Sequence, residues 1–223
     1  MSPPPKIVRI ACEFASKSPC AHSRRGVVVF GREPAGDLGH GIAANAITIY
    51  GTGFNGPPRP FKCDGSRACQ RDCGVLCMHA EMRALLCLRR SKDGFESSIL
   101  MGEPAIPEHT KLELVHVKVD AAGQLVPGKG PCCELCSRMI LDVGIEMVWL
   151  YEIEAPDEPP PPGMVLATGV WRPYTAAEFH RITLEALGFH VSKEDNVHPF
   201  SRQYQSPSCA ACGEDESHKV HVL

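Results

Sequence analysis

Two short clusters of metal-binding and acidic side chains, His79-Ala80-Glu81 and Cys133-Glu134-Leu135-Cys136, stand on either side of one strand-like run. Each opens an amphipathic stretch. Met82, Leu85, Leu86 and Leu88 follow the first cluster among good helix formers, which predicts a helix over 79–90. Cys136, Met139, Ile140 and Val143 recur on one helical face after the second, and Gly144 is placed to cap a helix over 133–143. Cys133 and Cys136 then share a face, so four functional side chains can converge if the fold brings two helix starts together.

The remaining elements supply a sheet to do this. Residues 7–16 carry Ile7, Ile10, Ala11 and Phe14 at helical spacing. GVVVF at 26–30 and AITIY at 46–50 are short, β-branched and bounded by glycine-rich turns, and they predict an antiparallel pair of buried strands. The glycines and prolines of 51–58 predict a loop that brings backbone close to its neighbours. LELVHVKVD at 112–120 alternates as a strand with an extension at Leu125-Val126, and MVWLY at 147–151 is a further buried strand. Five prolines in 156–162 make an extended connector. A helix over 175–187 stops at Gly188, and Phe189-His190-Val191 is expected to add a parallel strand after it. The expected fold is a three-layer α/β/α arrangement with a mixed sheet of five strands, over residues 1–191, followed by a polar tail at 192–223.

Bulk properties narrow the class. The 223 residues suit one well-buried domain plus a tail. No stretch approaches the roughly 18 apolar residues of a membrane span, and the first residues lack a secretory apolar core, so a cytoplasmic protein without membrane partners is expected. In that compartment the 12 cysteines point to metal rather than to a disulfide framework. A formal net charge of −3 disfavours a nucleic-acid partner. Residues 59–92 nevertheless hold eight Lys or Arg against three Asp or Glu, a basic stretch that suits a phosphorylated substrate or a solvated helix face equally well.

Hydrolytic attack on an aromatic ring carbon needs a strong oxygen nucleophile near neutral pH. Zinc held by three protein ligands with one position open supplies it. His79, Cys133 and Cys136 are the candidate ligands, and helix dipoles at their elements favour the thiolates. Glu81 is then left unligated, able to take a proton from water and to pass protons to a ring nitrogen and a leaving amine.

These residues resemble the zinc-dependent cytidine and deoxycytidylate deaminase superfamily, whose His-x-Glu and Pro-Cys-x-x-Cys signature they follow in order. Gly26-Val27-Val28-Val29, Gly53-Phe54-Asn55-Gly56-Pro57 and His79-Ala80-Glu81 look most like the deoxycytidylate branch. The resemblance implies a cytidine-deaminase-like fold, a nucleoside or nucleotide substrate whose sugar touches Asn55, a base pocket near Trp149 or Tyr151, and a homo-oligomer. It also implies a second, structural zinc on Cys20, Cys63, Cys69 and Cys73, with Cys77 or His22 as substitutes for one of them. Three departures stand out: Pro131 is followed by Cys132 before Cys133, 121–130 is an insertion, and Arg83 replaces the branch's usual Asn. The pair Cys133 and Cys136 alone keeps the two-residue gap with a fitting helix after it.

Three readings follow. The first is hydrolytic deamination of a cytosine base in a nucleoside or nucleotide. The second is deamination of a base in single-stranded nucleic acid or of another heterocycle. The third is a non-catalytic zinc module, against which the unligated Glu81 argues. Cys12 and Cys87 are expected in the core, and Cys209, Cys212, His218 and His221 have passable metal spacing without apolar support.

Overall fold

A computed structural model describes residues 1–32, 47–58, 60–67, 69, 77–88, 106, 110–128, 130, 133–154 and 169–189. Among these the chain forms α1 (Pro5–Ser16), β1 (Arg24–Arg32), β2 (Ile47–Phe54), α2 (Ala80–Leu86), β3 (Lys111–Val119), β4 (Leu125–Val126), α3 (Glu134–Val143), β5 (Ile145–Ile153), β6 (Gly169–Thr175) and α4 (Ala176–Ala186). The sheet runs β2-β1-β3-β5-β6 with β4 beside β3. Only the β3–β5 pair is parallel; the others are antiparallel. It is the expected mixed α/β sheet.

Both faces are covered. Val28, Phe30, Val115, Val117 and Trp149 point to one side, where Ile7, Ala11 and Ala15 of α1 pack. Val27, Val29, Leu112, Leu114, Val148 and Leu150 point to the other, against α2, α3 and α4. Val27, Val28, Val29 and Phe30 are all fully buried, which is the two-sided burial of a central strand. Burying each such side chain is worth roughly 1.5–3 kcal/mol, so β1 anchors both layers.

Glycines set how closely the helices lie. A Cβ at Gly26 would collide with the Ala11 carbonyl oxygen of α1, and a Cβ at Gly53 with the Ala80 carbonyl oxygen of α2. Residues 51–54, expected as loop, are therefore the end of β2, with glycine serving helix contact rather than irregular backbone. For the same reason α2 sets Ala80 and Ala84 over the strand glycines and buries Glu81 and Leu85 beside them, while Leu86 is 66% exposed. Cys87 is exposed too and does not join the core; Cys12 packs at its margin.

One strand is additional to those the sequence predicts. The sheet is extended by β6, which precedes α4 and pairs antiparallel with β5. Tyr151 and Trp171 face each other across that pair with ring centroids 5.1 Å apart, and Tyr174 packs on Phe179 of α4. Phe189 is exposed and lies in no strand. Residues 190–223, including Cys209, Cys212, His218 and His221, and the connector 156–162 lie outside the described residues. Among the described residues no helix is long and apolar enough to cross a membrane.

Candidate metal centre and its buried acid

The chain brings His79, Cys133 and Cys136 to one point from two elements. His79 is the N-cap of α2 and Cys133 the N-cap of α3, both in extended conformation. The Cys133 sulfur also caps: the Cys136 N–H donates to it at 3.4 Å. At the other end of α3, Gly144 adopts the left-handed conformation at φ 78° and its N–H closes on Ile140 and Leu141, as its sequence position predicts. α2 and α3 stay side by side because both rest on the same apolar face of the sheet.

The donors are mutually close. His79 Nδ1 is 3.1 Å from Cys133 Sγ and 3.2 Å from Cys136 Sγ, and the two sulfurs are 3.3 Å apart. Tetrahedral zinc with bonds of about 2.3 Å to sulfur separates its sulfur ligands by about 3.8 Å. The three side chains fit such an ion after spreading by a few tenths of an ångström. The Cys136 thiol, His79 and the Cys136 N–H outweigh burial and bring Cys133 down to about 4, which favours the thiolate form that a metal needs. The bond to Cys133 pushes His79 up against the effect of burial. Cys132 lies outside the described residues.

Glu81 stands beside the cluster without belonging to it. It is 2% exposed. Burial pushes its carboxyl up, but His116, its own backbone N–H, Arg25 and His79 together outweigh burial and hold it below the ordinary range. A buried, ionised carboxylate next to three metal donors is equipped to move protons.

The other expected residues fall differently. Asn55 is 7% exposed, and its Oδ1 accepts from the Arg25 N–H at 2.7 Å and the Ser18 hydroxyl at 2.9 Å. Its Nδ2 donates to the Ser23 carbonyl at 2.7 Å. Asn55 therefore ties the segment before β1 to the end of β2. Arg83 holds the same region, donating to the carbonyls of Gly56 and Pro57 at 3.2 and 3.1 Å.

Trp149 does not reach the centre: odd positions of β5 face α1, and its indole donates to Glu113 at 2.7 Å. The period of two in a strand places Val148 and Leu150 on the metal side instead. Cys20, Cys63 and Cys69 come together elsewhere. The Cys63 and Cys69 sulfurs are 3.3 Å apart and the Ala21 N–H donates to Cys63 at 3.4 Å. That N–H outweighs burial and, with Gly65, Cys69 and Cys20, draws the Cys63 thiol down. Cys73 lies outside the described residues.

Sequence reasoning passed over His116 and Arg25. His116 is 6% exposed and shares the metal-side face of β3 with Leu112 and Leu114. The signal was a lone polar residue in the inward register of an alternating strand. Arg25 comes from the matching register of β1, two residues before Val27.

No protein-family model matches the chain, and no curated protein matches it. Among solved structures, the dCMP deaminase of the cyanophage S-TIM5 in complex with dCMP and dUMP is 22% identical, covering 66% of this chain and 81% of that one with a TM-score of 0.36. A variant of the cytidine deaminase of Mycobacterium tuberculosis is 13% identical, covering 85% of this chain and 95% of that one with a TM-score of 0.32. These are distant likenesses, and what the centre does follows from its own residues.

Proposed function

We propose that the chain is a zinc-dependent hydrolytic deaminase that converts the cytosine base of a nucleoside or nucleotide to uracil and releases ammonia. The observation that carries this is the pairing of a three-donor cluster, His79, Cys133 and Cys136, with the buried Glu81 outside it. A purely structural zinc site is closed by four ligands and has no use for an adjacent unligated acid. Zinc bound here supplies Lewis acidity that makes water nucleophilic at neutral pH.

Glu81 takes one proton from the attacking water and delivers it to the ring nitrogen, then takes the remaining proton from the new hydroxyl on the ring carbon and delivers it to the departing amine, which leaves as ammonia. Its own burial excludes bulk water from that exchange.

A second, structural zinc on Cys20, Cys63, Cys69 and Cys73 belongs to the same proposal. The convergence of the first three thiols supports it, and such a site would tie the segment after Asn55 to the start of β1. A cytoplasmic homo-oligomer completes the reading.

The test is ammonia release by the zinc-loaded chain from cytosine, adenine and guanine nucleosides, nucleotides and single-stranded oligonucleotides. Release from cytidine or deoxycytidylate alone is expected. Release only from oligonucleotides or from a purine would replace the substrate, and no release with zinc bound would remove the enzyme reading.

A further inference from the structure

On the sheet side of Glu81 stand two residues that belong to neither cysteine cluster, His116 beside it and Arg25 beyond His116. His116 projects from the middle of β3 and lies between Glu81 and Arg25. Its Nδ1 is 3.5 Å from Glu81 Oε1, and its Nε2 is 3.4 Å from a terminal nitrogen of Arg25. The guanidinium is itself held: its Nε donates to the Ser23 hydroxyl at 3.2 Å, and the Arg25 backbone N–H donates to Asn55 at 2.7 Å.

The donor and acceptor inventory of these groups leaves one arrangement. A guanidinium has five N–H donors, no acceptor, and does not lose its proton in proteins, so the imidazole nitrogen facing it must offer a lone pair. An imidazolium would set N–H against N–H in a buried place. The tautomer protonated at Nε2 would do the same and would also turn the Nδ1 lone pair on the carboxylate. The neutral ring with its proton on Nδ1 turns an N–H toward the carboxylate and a lone pair toward the guanidinium. Burial, with Arg25 and His79 acting in the same direction against Glu81, brings His116 down to about 4, in keeping with a neutral ring.

We propose that His116 is a positioning residue for Glu81: Arg25 selects its Nδ1-protonated neutral form, and that N–H holds the carboxylate apart from the metal donors and oriented to exchange protons. The proposal rests on Glu81 being the proton carrier of the deaminase reading. Its physical reason is local. Glu81 is two residues from His79, and a carboxylate free to rotate would compete for the position that water needs. A fixed donor on its far side prevents this, as partners outside the ligand shell do at metal sites generally.

Long-range 15N–1H NMR on the zinc-loaded full chain with 15N-labelled histidine reads the tautomer directly, with the His116 signals assigned by their loss in His116→Asn. Protonation at Nδ1 with Nε2 bare at neutral pH is expected. Protonation at Nε2, or at both nitrogens, overturns the proposal. Turnover gives the second reading. His116→Asn keeps an N–H donor near the place of Nδ1, whereas His116→Leu keeps bulk without one. With zinc content equal, kcat should stay within about 3-fold of wild type for Asn and fall on the order of 10–100-fold for Leu, with KM little changed in both. Equal kcat in the two variants overturns the positioning role. If wild type releases no ammonia from any cytosine substrate, the deaminase reading falls, and the tautomer measurement still decides what Arg25 does to His116.

Discussion

Gly53 of β2 lies directly beneath the Ala80 carbonyl oxygen of α2, so close that even a methyl group at Gly53 would collide with backbone. Because α2 carries both His79 and Glu81, this contact sets the height of half the centre above the sheet. Gly53→Ala should destabilise the fold by about 1–3 kcal/mol, the usual range for forcing extra volume into a packed site. It should also weaken zinc binding, since α2 must lift away from α3. Thermal unfolding with and without zinc checks both effects; unchanged zinc affinity would separate this contact from the metal centre.

Zinc binding should release protons, because the Cys136 thiol must lose its proton to coordinate and the imidazole of His79, pushed up by Cys133, must be deprotonated to coordinate through Nδ1. Cys133, already held down at about 4, contributes no proton above pH 6. Calorimetric titration of the apo-protein with zinc in buffers of different ionisation enthalpy measures the number released. The same zinc should stabilise the fold by about 4 kcal/mol at a thousandfold excess over Kd, and Cys136→Ser should abolish most of that gain.

His116 gives the apo-protein an acid-sensitive stability. Its folded value of about 4 lies below the ordinary 6.5, so the unfolded chain binds the proton more readily. The contribution is therefore complete above pH 6.5 and is lost as pH falls from there toward 4. At about 1.4 kcal/mol per pH unit it is on the order of 3 kcal/mol. Urea unfolding at pH 7 and pH 4.5 should show this loss in wild type and a smaller one in His116→Leu. A loss of equal size in the two proteins would place the acid sensitivity elsewhere.

Cys63→Ala/Cys69→Ala should lower bound zinc from two ions per chain to one while Cys133 and Cys136 keep theirs, because the two clusters share no residue. The variant should unfold at lower temperature, since a structural zinc contributes folding energy outright. Metal analysis that finds one ion in wild type and one in the variant would remove the second site.

Much of this was legible in the sequence because its signals are local. Gly26-Val27-Val28-Val29 announced a buried strand, Gly144 announced the end of α3, and the spacing of Cys133 and Cys136 announced a shared helical face. What was not legible depended on partners distant along the chain. Gly51 and Gly53 read as loop because nothing nearby shows that a helix will lie on them. Trp149 read as a pocket residue because burial is visible in a sequence while the choice between two buried faces is not. β6, with Pro173 inside it and Arg172 exposed, lacks the apolar alternation of a core strand; it is an edge strand held by pairing with β5. His116 was hidden by its own alternation, since a polar residue between Val115 and Val117 reads as outward-facing, whereas both faces of β3 are covered.

In the proposed reaction Glu81 acts on protons rather than on metal. The most direct measurement is ammonia release from cytidine and deoxycytidylate by wild type and Glu81→Gln, with zinc content determined on the same samples. The variant should retain zinc at His79, Cys133 and Cys136 and lose turnover by 100-fold or more, within the roughly 10²–10⁴ range of general acid–base catalysis. Turnover in Glu81→Gln within a few-fold of wild type at equal zinc would contradict the central claim.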